Sequence, residues 1–257
     1  MNSNEHTIIT DFTYKLIADF FKDLDRQGPC DEAMTRLALQ HIGQLPDDAK
    51  IADIGCGTGG QTITLANNLK GAITAVDLIP EFIDALAGKV KQLEMEKRFR
   101  LVNASMDELP FSENELDLIW AEGSIYNIGY ERGLNEWHKY LKTDGYIVVS
   151  EVSWLTQSQP QEIVSYWNTE YPEIAGISKK VDQMQRAGYL PLAHFVMPES
   201  SWWSYYEPIK NQMKIFLKRH SYSETAKQFV DFLKDEIAQY TTYKEHYGYV
   251  FYIGQKK

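Results

Sequence analysis

The chain has 257 residues, 44% of them apolar, enough to bury a full core in one α/β domain. Lys and Arg number 26 against 36 Asp and Glu, a net charge of −10 with no basic stripe of the kind a phosphate backbone requires, so nucleic acid is not an expected partner. Two cysteines, Cys30 and Cys56, are too few for a disulfide framework. No apolar run approaches the ~18 residues of a membrane span, and the first residues lack an export signal, so a cytoplasmic protein is expected.

In chain order, residues 10–24 and 31–42 read as amphipathic helices ahead of the first strand. That strand, at 51–54, carries Asp53 and breaks into glycines at 55, 57, 59 and 60 before the helical pattern 62–69, which describes a turn cradling a ligand. Gly55, Gly57 and Gly60 match the spacing of dinucleotide turns. Asp53 argues against a diphosphate there, since its carboxylate would repel one, and suits the ammonium of an amino-acid moiety. A second strand, 71–77, ends in Asp77, 24 residues after Asp53, near the position where α/β sites hold a ribose.

A helix opened by Pro80 follows, then strand 99–103, loop 104–111, strand 116–121, helix 133–141 and strand 145–150. This alternation over residues 49–151 predicts a doubly wound sheet with its ligand at the carboxyl ends of the strands, where Asp53, Asp77, Ser105 and Glu122 fall. Beyond it, residues 160–171, 178–188, 201–219 and 223–240 read as helices, and 190–197 and 247–253 as strands. Six histidines, at 6, 41, 138, 194, 220 and 246, show no metal-ligand spacing, and no metal is expected.

The segment Asp53-Ile-Gly55-Cys-Gly57-Thr-Gly59 resembles motif I of the class I S-adenosylmethionine-dependent methyltransferases. Residues 104–111, Ala-Ser-Met-Asp-Glu-Leu-Pro-Phe, resemble the segment that grips adenine in that family. Ser105 stands where an aspartate is usual, with Asp107 placed to take its role. Pro198-Glu-Ser followed by Trp202, Trp203, Tyr205 and Tyr206 is similar to a bacterial small-molecule branch of the family. The resemblance implies a Rossmann-like seven-stranded sheet with an antiparallel last strand and helical cap insertions. One domain is expected, with 1–48 as N-terminal cap, 49–151 as cofactor core, and 152–257 as substrate-side helices with the last two strands.

It further implies S-adenosylmethionine as cofactor and S-adenosylhomocysteine as product. Asp53, Gly55, Gly57 and Gly59 would meet the methionyl end, Asp77 with Leu78 the ribose, and Ser105, Met106 and Asp107 the adenine. The acceptor side would comprise Tyr14, Tyr126, Asn127, Trp154, Trp202 and Tyr206, with Tyr14 and Phe12 as a lid. Glu122 has two readings, a catalytic carboxylate beside the transferred methyl or one that bonds the neighbouring loop. The aromatic cluster at 202–206 likewise reads as a cation-binding face or as core. The expected reaction is in-line methyl transfer to an oxygen or nitrogen of a small molecule. A nicotinamide-dependent oxidoreductase and a non-catalytic S-adenosylmethionine-binding module remain as alternatives.

Overall fold

A computed structural model describes the backbone of residues 11–257 and the side chains from Tyr14 onward. Phe12 therefore has its side chain outside the described residues. Five strands of the sheet run parallel to one another: β1 (Lys50–Ile54), β2 (Ala72–Asp77), β3 (Phe99–Asn103), β4 (Leu116–Glu122) and β5 (Leu141–Trp154). A two-residue β6 (Ala175–Gly176), β7 (Tyr189–Val196) and β8 (Tyr247–Lys256) complete it. The order along the sheet is β3-β2-β1-β4-β5-β8-β7, and β8 runs antiparallel to both of its neighbours.

The middle strands are apolar on both faces because helices cover both. Ile51, Ala52 and Ile54 of β1, and Leu118, Ile119, Trp120 and Ala121 of β4, are all buried. The chain runs outward from β1 to β3 and then returns to β4, so the crevice between the ends of β1 and β4 is the switch point where such sheets bind ligands.

The nine α-helices among the described residues are α1 (Asp11–Phe21), α2 (Glu32–Leu39), α3 (Gly60–Asn68), α4 (Pro80–Gln92), α5 (Tyr130–Trp137), α6 (Gln161–Glu170), α7 (Ile177–Arg186), α8 (Glu199–Arg219) and α9 (Glu224–Tyr243). Their ends follow local chemistry. Asp31 accepts the Met34 N–H at 3.1 Å to cap α2, and Pro80 fills the first turn of α4, where its missing N–H has no partner to lose.

α1, α8 and α9 pack together and share a core with residues of α4, α6, β5 and β8. Phe20, Phe216 and Val230 are buried together, and Gln212 donates to the Phe20 carbonyl at 3.1 Å. Trp202 and Tyr206 belong to this core: the Trp202 ring stacks on Tyr240 with centroids 3.9 Å apart and 12° between planes. The packing alternative for the aromatic cluster therefore holds for Trp202.

Two elements differ from the sequence expectation. β5 continues to Trp154, past the expected end at 150, because β8 pairs with it as far as Trp154 opposite Tyr247. That extension also recruits Ala175 and Gly176, giving eight strands in place of the seven expected. Two residues carry too little alternation to read as a strand in a sequence.

Candidate active site

The glycine turn is tied to β2 from beneath. The N–H groups of Gly55 and Cys56 both donate to the Val76 carbonyl, at 2.8 and 3.0 Å. Gly55 has φ +74°, and a Cβ there would run into the Ser124 side chain, which itself donates at 2.6 Å to the Ile54 carbonyl. Gly55→Ala therefore combines a left-handed backbone with overpacking and should cost about 3 kcal/mol. In a chain this long that is a fall of roughly 10 °C in melting temperature, and an unchanged melting curve would contradict the geometry.

Asp77 closes the turn from the side. Its Oδ2 accepts the Gly57 N–H at 2.8 Å and its Oδ1 the Ile79 N–H at 2.9 Å, so one carboxylate ties the glycine turn to the segment after β2. Burial pushes this carboxyl above its ordinary value, opposed by those backbone donors. Asn103 braces the strand end by donating to the carbonyls of Asp77 and Leu78, at 3.0 and 2.8 Å.

Asp53 lies deeper. Its side chain is fully buried, taking the Thr62 hydroxyl at 2.6 Å and the Gln61 amide at 3.4 Å. Burial pushes its carboxyl up to about 7, the Thr62 hydrogen bond pulls the other way, and the nearby Glu122 charge adds to the rise. Gln61 lines the crevice above it, so Asp53 faces the ligand space through Gln61.

The strap formed by residues 24–30 was not anticipated as part of the site. Gln27 accepts the Thr58 N–H at 2.9 Å, and the Thr58 hydroxyl donates to the Leu24 carbonyl at 2.6 Å, which fastens the segment after α1 across the glycine turn. Arg26 pairs with the Glu122 carboxylate, which also receives Thr35 at 3.0 Å and Trp120 at 3.0 Å. With its side chain 2% exposed and its oxygens occupied in this way, Glu122 holds the strap to the end of β4. The loop-bonding reading of Glu122 fits this geometry.

The loop after β3 places Ser105, Met106 and Asp107 along one wall. Ser105 Oγ accepts the Asp107 N–H at 3.2 Å, Asp107 pairs with Arg132 at 2.6 Å, and the Trp137 indole donates to the Met106 carbonyl at 3.4 Å. Leu78 is 49% exposed beside them, a large apolar side chain open to the same space.

All of this borders a cavity of about 630 Å³. Gly55, Gly57, Asp77, Leu78, Ser105, Met106 and Asp107 are part of that lining. Tyr14, Glu122, Tyr126 and Asn127 join them. Tyr126 sits in a short helical turn (Ile125–Asn127), its ring edge-on to Tyr171 at 6.0 Å. Gly59, Trp154, Trp202 and Tyr206 are not in the lining. Gly59 faces Leu86, Trp154 packs on Tyr247, and Tyr206 turns its hydroxyl to Glu236 at 3.1 Å.

Tyr205 of the aromatic cluster lines the cavity, and sequence reasoning missed Phe229, Phe232, Leu233 and Glu236 of α9, which line it too. The signal was present: 229, 232, 233 and 236 follow the i, i+3, i+4, i+7 spacing of one helix face.

Residues 51–145 match a family model described as a methyltransferase domain. The ubiquinone/menaquinone biosynthesis C-methyltransferase UbiE of Citrifermentans bemidjiense is 29% identical over 165 residues, covering 63% of this chain and 68% of that protein. The 27-O-demethylrifamycin SV methyltransferase of Amycolatopsis mediterranei is 26% identical over 116 residues, 44% of this chain and 41% of that one. Among solved structures, an S-adenosylmethionine-dependent methyltransferase from Geobacter sulfurreducens in complex with S-adenosylhomocysteine superposes with TM-score 0.81. It is 16% identical, covering 95% of this chain and 98% of that one.

The sheet order, the antiparallel β8 and the glycine turn at the switch point define a Rossmann-like class I methyltransferase fold. With the family match over residues 51–145, the chain carries an S-adenosylmethionine-dependent methyltransferase domain, as its first motif led one to expect.

Proposed function

We propose that the chain transfers the methyl group of S-adenosylmethionine to an oxygen or nitrogen of a small molecule enclosed beneath α1, α8 and α9. The observation that carries this reading is the continuity of the cavity. The glycine turn, Asp77 and the 105–107 loop line the same cavity as Tyr126, Tyr205 and the α9 face. A cofactor laid along the turn would rest its ribose on Asp77 and its adenine between Leu78 and Met106, with its sulfonium directed toward Tyr126. Asp53 acts in this reading through Gln61, which it holds for the methionyl ammonium.

Methyl transfer from a sulfonium is an in-line displacement. The acceptor lone pair forms the new bond to carbon as the carbon–sulfur pair returns to sulfur, giving neutral S-adenosylhomocysteine. Alignment inside a closed cavity supplies most of the acceleration, and a base is needed only where the nucleophile must shed a proton. We assign Glu122 to positioning, since its oxygens are taken up by Arg26, Thr35 and Trp120.

The size of the cavity favours a small acceptor over a polymer. Among the described residues no helix is long and apolar enough to cross a membrane. We read the chain as one unit, its terminal helices capping the cofactor core. Carbon methylation is the second reading, favoured by the UbiE relative, whose name specifies a C-methyltransferase. Incubating the protein with S-adenosylmethionine and a panel of amines, phenols and quinols tests the proposal. Acceptor-dependent S-adenosylhomocysteine with the new methyl on nitrogen or oxygen supports it, and methyl on carbon alone selects the second reading.

A further inference from the structure

The charge on the cavity wall is lopsided. Among the described residues its lining holds five acids, Asp77, Asp107, Glu122, Glu170 and Glu236, and one basic side chain, Arg26. Arg26 is already paired with Glu122, Asp107 is paired with Arg132, and Asp77 accepts two backbone N–H groups. Glu170 and Glu236 remain, and the described residues give neither an ion-pair partner within reach. Glu236 Oε1 accepts the Tyr206 hydroxyl at 3.1 Å, and among the described residues no donor is found for its Oε2.

These two carboxylates line the cavity together with Tyr126, Tyr205, Phe229 and Phe232. Burial pushes Glu236 up to about 7, the Tyr206 hydroxyl lowers it and the Glu170 charge raises it further, so like charges face one another with no cation between them. Two carboxylates and a set of aromatic rings together form a site complementary to positive charge.

We propose that the acceptor carries a cationic nitrogen, an ammonium or alkylated ammonium, that is bound by Glu236 with Glu170 and flanked by the rings of Tyr126 and Tyr205. This rests on the methyltransferase reading of the cavity and narrows its substrate class. A diphosphate or carboxylate acceptor would meet the same two acids and be repelled.

The test uses the full chain saturated with S-adenosylhomocysteine and titrated calorimetrically with phenethylamine, its N,N,N-trimethyl derivative, 2-phenylethanol and phenylacetate. Both cations should bind about tenfold tighter than the neutral alcohol, as one desolvated charge contact with aromatic flanks implies, and phenylacetate should bind weakest. Glu236→Gln keeps an amide oxygen for the Tyr206 hydroxyl and removes only the charge. It should erase most of the cation preference while leaving the melting temperature and S-adenosylhomocysteine affinity unchanged, which a purely structural Glu236 would not do. Should that variant fold poorly, Glu170→Gln, at an exposed position, should cut the preference about threefold through the weaker, more solvated charge.

Equal binding of alcohol and amines, a preference for phenylacetate, no binding by any of the four, or a cation preference intact in the variants would overturn the proposal. Failure of S-adenosylhomocysteine itself to bind would instead remove the methyltransferase reading, and that result is read before any amine is added.

Discussion

Asp77→Ala should lower the affinity for S-adenosylmethionine about 100-fold, the loss of charge-assisted hydrogen bonds worth roughly 1.5–3 kcal/mol each. The carboxylate does two things at once: it orders the turn through Gly57 and Ile79, and it presents the remaining lone pairs of both oxygens to the cavity. Its removal strips the ribose of an acceptor and leaves the Gly57 N–H without its partner, so the turn loosens as the contact disappears. Asp77→Asn should fall between, about tenfold weaker, because its NH₂ must face one of two backbone donors and so replaces an acceptor with a clash of donors. Calorimetry with S-adenosylhomocysteine reads both variants. Wild-type affinity in the alanine variant, at an unchanged melting temperature, would take Asp77 out of the site.

Lys180→Met should be the most damaging single change to stability among those considered. Lys180 and Glu151 are 1% and 0% exposed and pair at 2.9 Å, with the Lys180 ammonium 4.5 Å from the Tyr130 ring centroid. Removing one partner of a buried pair strands the other charge, at a cost of about 3–5 kcal/mol.

The pH dependence identifies the cause. Burial raises Glu151, and the Lys180 charge pulls it back; without Lys180 the folded-state carboxyl rises further above its unfolded value near 4.5. A carboxyl raised on folding destabilises most above its folded pKa and not at all below its unfolded one. The melting gap between variant and wild type should therefore narrow as pH falls from about 8 to about 5. The double variant Glu151→Leu, Lys180→Met should recover much of the loss, since an apolar pair needs no compensation. A gap independent of pH would mean that lost packing, not a stranded charge, is the cause. The pair also serves the site: Lys180 lies 5.2 Å from the ring centroid of Tyr171, against whose ring Tyr126 packs.

How much of this could be read from the sequence depends on how local each cause is. Strands β1 to β5, the glycine turn and Asp77 were legible because each is a contiguous run: an apolar stretch, a set of glycines and a terminal acid. The substrate side was less so. Trp202 and Tyr206 drew attention by their density, yet a helix with aromatics on several faces must bury some, and α9 and β8 determine which. Tyr205, one residue from Tyr206, reaches the cavity instead. The strap is the clearest omission. Nothing around Arg26 and Gln27 signals a partner at Glu122 or Thr58, because those contacts span 96 and 31 residues. Glu122 was singled out as a strand-end acid for the same reason, its partner Arg26 being invisible to a local reading.

The measurement that bears most directly on the account is parallel calorimetric titration of the purified protein with S-adenosylmethionine, S-adenosylhomocysteine and NADH. The account predicts saturable one-site binding of both adenosyl ligands, abolished or strongly weakened in Asp77→Ala, and no heat from NADH. Binding of NADH with silence from the two adenosyl ligands would contradict it, because the turn over Asp53 would then be holding a diphosphate.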